Sequence, residues 1–203
     1  VSQEVVGASG AGIMLMGREL PLGSLCTTNA VSAAIEELQY TLGEGPCVDA
    51  YRQDQVVSEP NLADPVGARW LAFTPKALDA GARAIFAFPL RVGAARIGVL
   101  DFYQDRPGPL AEKQHADALA LCSVVAHSVL DIQADAPPGT LAAELEVGAD
   151  FHFVVHNAAG AVSVQLGVSV TEAMIRLRAY AFSRERSLRD VAEDVVDRKL
   201  RLG

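Results

Sequence analysis

Apolar residues in the last fifty or so positions recur at helical spacing in three consecutive blocks. They are Val154, Val155, Ala158, Val162 and Leu166; then Ala173, Met174, Leu177 and Ala181; then Leu188, Val191, Ala192 and Val195. Steps of three and four residues place each block on one face of a helix. The boundaries are written in as well. Ser169-Val170-Thr171-Glu172 and Ser187-Leu188-Arg189-Asp190 each set a hydroxyl at a helix start and a carboxylate three residues later, the spacing of a capping box. Gly167 stands where the preceding helix needs a left-handed cap. Three amphipathic helices with loops this short must pack on one another. The middle one has a second apolar stripe, Ile175, Ala179 and Phe182, nearly opposite the core stripe of Val170, Ala173, Met174, Leu177 and Ala181.

Upstream, the pattern alternates between strand and helix. Gly10 to Met16 and Leu22 to Thr27 read as two strands joined through the breaker-rich turn Gly17 to Pro21. Asn29 can cap a helix over 30–42, with Val31, Ala34, Ile35 and Leu38 on one face and Gly43 ending it. Gly45-Pro46 restarts a helix with proline at its first position. A short strand is expected at 55–58, a loop at 59–65, and a helix at 68–80 interrupted at Pro75 and closed by Gly81. The strongest β signal is the pair 84–92 and 95–103 around Gly93, where Pro89 demands an edge or a bulge because it has no N–H to donate. A helix over 110–132 carries Leu119, Leu121, Val124, Val125 and Val129, enough for packing against the sheet and against something else. Pro137-Pro138 marks a linker. The expected organisation is an α+β sheet domain over 1–133, a linker over 134–149, and a small all-α three-helix domain over 150–203.

Composition adds an asymmetry. Half of the 203 residues are apolar and 21% are charged, an ordinary globular profile. The net charge of -8 would argue against a nucleic-acid binder if evenly spread, but residues 1–149 hold 9 Lys+Arg against 18 Asp+Glu while 150–203 hold 8 against 7. An acidic body thus carries an arginine-studded tail. Cys26, Cys47 and Cys122 are an odd number without metal-ligand or redox spacing, which fits a reducing cytoplasm. The apolar stretches are broken short of a bilayer span and no signal segment opens the chain, so no membrane partner is expected. Because the chain starts at Val1 and not at Met, residues are expected to precede it.

Two families come into view from these residues. Val155-His156-Asn157-Ala158-Ala159-Gly160, Val164-Gln165-Leu166-Gly167-Val168-Ser169, Leu177-Arg178-Ala179-Tyr180-Ala181 and Leu188-Arg189-Asp190-Val191-Ala192 resemble the ANTAR domain, a three-helix output module that binds nascent RNA and prevents premature termination. The chain departs from that pattern at Asn157 and Ala161. Leu42-Gly43-Glu44-Gly45-Pro46-Cys47, Phe86-Ala87-Phe88-Pro89-Leu90-Arg91 and Ile97-Gly98-Val99-Leu100-Asp101 resemble the GAF domain, a small-molecule sensor and dimerisation module. The resemblances imply a GAF-like antiparallel sheet flanked by helices, with a ligand pocket between the sheet and the middle excursion. They also imply a homodimer that recognises RNA hairpins through its tail.

The candidate RNA-binding residues are Asn157, Gly160, Arg176, Arg178, Tyr180, Phe182, Arg184 and Arg189. An aromatic ring flanked by arginines suits unpaired loop bases, because the deep groove of an RNA helix is closed to side chains. No catalytic residue, cofactor or metal is implied. His152 and His156 stand four apart without a third ligand, Cys47 near a helix start is read as buried and structural, and no nucleophile-base pair or phosphate-cradling loop is visible. Competing readings are a ligand-binding module whose tail only dimerises, a small enzyme using a cysteine, and a DNA-binding tail.

Overall fold

The computed structural model describes residues 6–17, 21–64, 69–137, 142, 145 and 150–203. The chain divides into two compact units, Val1–Phe151 and His152–Gly203.

The first unit is α+β. Its sheet comprises β1 (Gly10–Met16), β2 (Pro21–Thr27), β3 (Val57–Glu59), β4 (Ala84–Val92), β5 (Ala95–Gln104) and the two-residue β6 (Asp150–Phe151). The spatial order is β3-β4-β5-β1-β2-β6, with antiparallel neighbours throughout. Its helices are α1 (Ala30–Leu42), α2 (Pro46–Gln53), α3 (Phe73–Ala80) and α4 (Glu112–Ala134). Alternation along the strands sends Ile13, Leu15, Phe86, Phe88, Leu100 and Phe102 to one face. There they pack with Ala118, Cys122, Ala126 and Val129 of α4. The intervening residues, among them Gly12, Met14, Val99 and Asp101, turn to the face covered by α1 to α3.

Local signals account for most boundaries. Asn29 caps α1 by accepting from the Ser32 N–H, and Ser32 Oγ accepts from the Asn29 N–H in return. Gly43 closes the helix at φ 66°. Pro89 sits where β4 has lost its second neighbour, because β3 pairs only with Ile85 to Ala87, and a bulge follows between Leu90 and Arg91. The helix expected from residue 68 begins instead at Phe73. Glu44 Oε1 accepts from the N–H groups of Ala72 and Phe73 at 2.7 and 2.8 Å, which satisfies the helix start there and leaves Pro75 in the first turn, where a missing N–H does no harm. β6 was not anticipated: two residues have no periodicity, and only pairing with Gly23 and Ser24 makes them a strand. Most of the expected linker lies outside the described residues.

Helix α4 differs from the expectation that no apolar stretch reaches bilayer length. At 23 residues it is long and apolar enough to cross a membrane by length and composition. One of its stripes is nevertheless committed to the sheet, while Leu119 and Val124 on its other side are exposed.

The second unit consists of α5 (Phe153–Leu166), α6 (Val170–Ser183) and α7 (Leu188–Val196). The serine half of each capping box forms: Ser169 Oγ accepts from the Glu172 N–H and Ser187 Oγ from the Asp190 N–H. Gly167 ends α5 at φ 65°. Val155, Ala158, Val162, Met174, Leu177 and Val191 are fully buried where the helices meet. Burying a side chain the size of Leu177 contributes about 1.5–3 kcal/mol, so a handful of such residues holds so small a unit together. After α7 the chain folds back as a strap. The N–H groups of Lys199 and Leu200 donate to Asp194 O, and Leu202, itself buried, accepts from Gln165 Nε2 through its carbonyl at 2.7 Å.

Candidate nucleic-acid interface and the sensory interior

Amphipathicity positions the outer face of the tail. With Met174, Leu177 and Ala181 turned into the core, helical geometry sends Ile175, Ala179 and Phe182 outward, and Ile175 is 58% and Phe182 71% exposed. Tyr180 is half-buried, and the Arg184 guanidinium lies 5.7 Å from its ring centroid. Phe182 is therefore the open ring of the pair. Asn157 is exposed and Gly160 half-buried on α5, a separate helix from the aromatic pair.

The cations divide into two groups. Arg176 pairs with Glu172 and Arg189 with Glu193, one helical turn apart in each case, while Arg186 pairs with Asp194 and Lys199 with Asp197. Those pairings neutralise most of the unit's carboxylates. Exposed pairs of this kind hold weakly and exchange readily for another anion. Arg178 is half-buried, whereas Arg184, Arg198 and Arg201 are exposed without a carboxylate partner among the described residues. The last two were not among the residues singled out from the sequence, because nothing in local spacing shows which arginines lack a neighbour.

The sheet domain holds a polar group that sequence reasoning also missed. Gln39 on α1 donates from Nε2 to Asp101 Oδ2 on β5 at 2.7 Å, and its Oε1 accepts from the Cys47 N–H at the start of α2, also at 2.7 Å. Gln39 thus ties two helices to the sheet. Glu36, one turn earlier on α1, lies against Asp101, and Gly12 is the residue whose missing side chain makes room for it. Both carboxyls are buried, and neither Glu36 Oε2 nor Asp101 Oδ1 has an N–H or hydroxyl partner. Two carboxylates cannot bond to each other without a proton. Burial, then repulsion from Asp101, raises the Glu36 carboxyl well above its usual range, so the pair shares that proton. Burial pushes Asp101 up to about 7 against the opposing effect of donors Gln39, Glu36 and Cys47. The visible signal was an acidic residue inside the apolar run Val99-Leu100-Asp101-Phe102.

Several large side chains of this unit are sealed from solvent. Tyr40, Leu62, Phe73 and Met14 are each essentially inaccessible. Trp70 is anchored by its Nε1–H to Asp49 at 2.9 Å and is covered by the Arg69 guanidinium, which also reaches Glu59. Cys47 is fully buried, and burial, followed by the proximity of the Asp101–Glu36 acid pair, raises its thiol well above the ordinary value. It is a poor nucleophile.

Residues 1–128 match the GAF domain family and residues 144–196 the ANTAR domain family. No match was found among curated proteins. Similar solved structures include the GAF domain of a phosphoenolpyruvate-protein phosphotransferase from Acinetobacter, at 14% identity over 65% of this chain and 77% of that one, with a TM-score of 0.49. A type II free methionine-R-sulfoxide reductase from Thermoplasma acidophilum is 17% identical over 59% of this chain and 77% of that one, with a TM-score of 0.47. A GAF domain/HD domain protein from Geobacter sulfurreducens is 14% identical over 67% and 89%, with a TM-score of 0.47.

Proposed function

From a chain that belongs to the GAF domain family and carries an ANTAR domain behind it, we propose a sensor-controlled antitermination regulator whose three-helix unit holds hairpin loops in nascent RNA. The pairing of a signalling domain with a transcription-regulatory domain gives the general kind of function. Hairpin recognition is the further step, and the observation that carries it is the exposed Phe182 on α6, the helix whose C-terminal end also carries the Arg184–Tyr180 pair. An open aromatic ring offers stacking to a splayed base, and arginines on the same helix offer charge to its phosphate. Asn157, Gly160, Arg176, Arg178 and Arg189 complete the proposed surface. Holding the hairpin precludes the competing terminator, and the protein acts in the cytoplasm without catalysing a reaction.

On the input side, a small molecule would bind between the sheet and the excursion that includes α3. Signal would pass through a homodimer joined along the apolar side of α4, where Leu119 and Val124 are exposed. The same exposure of Ile175 and Phe182 suits a tail that only dimerises, and RNA binding separates the two readings. Phe182→Ala in the full chain should lower affinity for its RNA hairpin by about 1–3 kcal/mol, the usual worth of one base-aromatic stack, with Tm unchanged. An affinity equal to that of the wild type removes Phe182 from the interface. A wild-type chain that binds no transcript from its own cell lysate leaves the dimerising tail as the reading.

A further inference from the structure

The strap after α7 closes one side of a groove of about 650 Å³. Ala161, Val164 and Gln165 of α5 form its other wall, and Val195, Leu200, Arg198 and Arg201 complete it. Val164 is 86% exposed there, so an apolar floor lies open to solvent. Arg198 and Arg201 are both exposed, their guanidinium groups have no hydrogen-bond or ion-pair partner among the described residues, and none of the described residues lining the groove is a carboxylate. The nearest acids in sequence, Asp194 and Asp197, are occupied by Arg186 and Lys199.

The backbone at Arg198 adds a second observation. Its φ is 60°, in the left-handed region, immediately after the α7 cap at Asp197. Glycine is the usual occupant of that position, since a Cβ is disfavoured there. A long cationic side chain kept at a glycine position, beside a groove, is strain that points toward a use for the side chain. Both the Arg198 position and the strap lie beyond the ANTAR match, which ends at 196.

We propose that this groove is a second RNA subsite, taking a single-stranded nucleotide next to the hairpin loop. Arg198 and Arg201 hold its phosphate, and its base lies on Val164 and Leu200. A groove of this size falls in the ordinary range of small-ligand sites, about 300–1,000 Å³. Unpaired cations flanking an apolar floor match a phosphate joined to a base, and would repel a basic partner. The inference rests on the RNA reading above and extends it from α6 to α5 and the strap.

The test uses the full chain and a fluorescein-labelled pool of RNA hairpins with one fixed stem, a randomised loop and single-stranded flanks. Anisotropy is read over a salt series for wild type, Phe182→Ala, Arg198→Gly, Arg201→Ala and the Arg198→Gly/Arg201→Ala double variant. Arg198→Gly is chosen because glycine suits the left-handed backbone, so Tm should be no lower than wild type while affinity falls at least about fivefold. The double variant should flatten the salt dependence by about 1.4 in slope, roughly 0.7 for each lost phosphate contact. Ultraviolet cross-linking should place RNA on the peptide containing residues 198–203. If Phe182→Ala weakens binding while the double variant keeps wild-type affinity and slope, the groove is not an RNA site and the hairpin reading stands alone. A wild-type chain that binds none of the pool removes both. A double variant that changes the sedimenting mass makes the groove a contact between copies and overturns the proposal.

Discussion

Asp101→Asn removes one member of the buried acid pair while preserving the size of the side chain and its ability to accept from Gln39. In the folded chain Asp101 is raised from 3.8 to about 7, mainly by burial. An acid raised in this way contributes stability that is fully present below the unfolded value and is lost as pH rises through the folded one. The window for Asp101 therefore runs from about pH 4 to about pH 7. Within it the folded state holds a proton that the unfolded state has released, and stability falls by about 1.4 kcal/mol per pH unit for each such proton. The full swing for a shift of this size is roughly 4 kcal/mol. Glu36, also raised, adds in the same direction. The chain contains one tryptophan, and Trp70 is packed in the sheet domain, so its fluorescence reports that unit separately from the helical tail. Urea titrations followed by Trp70 at pH 5, 6, 7 and 8 should show the wild-type midpoint falling relative to that of Asp101→Asn. A difference between the two proteins that is independent of pH, or that grows in favour of wild type toward pH 8, would refute the shared-proton account.

Gly12→Ala should destabilise the sheet domain by about 1–3 kcal/mol in the same titration, because the new methyl meets the Glu36 side chain in a packed interior. Among the thiols, Cys26 should react with an aromatic disulfide in the folded protein, while Cys47 and Cys122, the latter pushed up to about 12, should react only on unfolding. Ser187→Ala should cost about 1 kcal/mol by removing the cap on α7, seen in thermal melts of the helical signal. Arg178→Ala combined with Arg189→Ala should lower RNA affinity and flatten its salt slope by roughly 0.7 per contact, and an unaltered slope assigns both arginines to structure. Val124→Asp should shift sedimentation toward the monomer if the open side of α4 joins two chains, and an unchanged mass places the dimer contact elsewhere.

The helices and their limits could be read from the chain because their causes are local. A cap such as Asn29 acts over three residues, a left-handed glycine such as Gly43 or Gly167 acts at one, and amphipathic spacing repeats within a turn. Two of the tail's ion pairs were equally legible, since Glu172 and Arg176, like Arg189 and Glu193, are one turn apart. Tertiary structure alone decided what depends on distant partners. The start of α3 at Phe73 rests on Glu44, almost thirty residues away, and β6 exists only through its pairing with β2. Glu36 and Asp101 become an acid pair because the chain between them brings α1 onto β5, leaving both without water to solvate two charges. Arg198 and Arg201 stand out from the other cations only once the strap has folded back along α5 and the neighbouring carboxylates are seen to be taken. Propensity and spacing act along the chain, whereas desolvation and pairing depend on which remote groups the fold brings together.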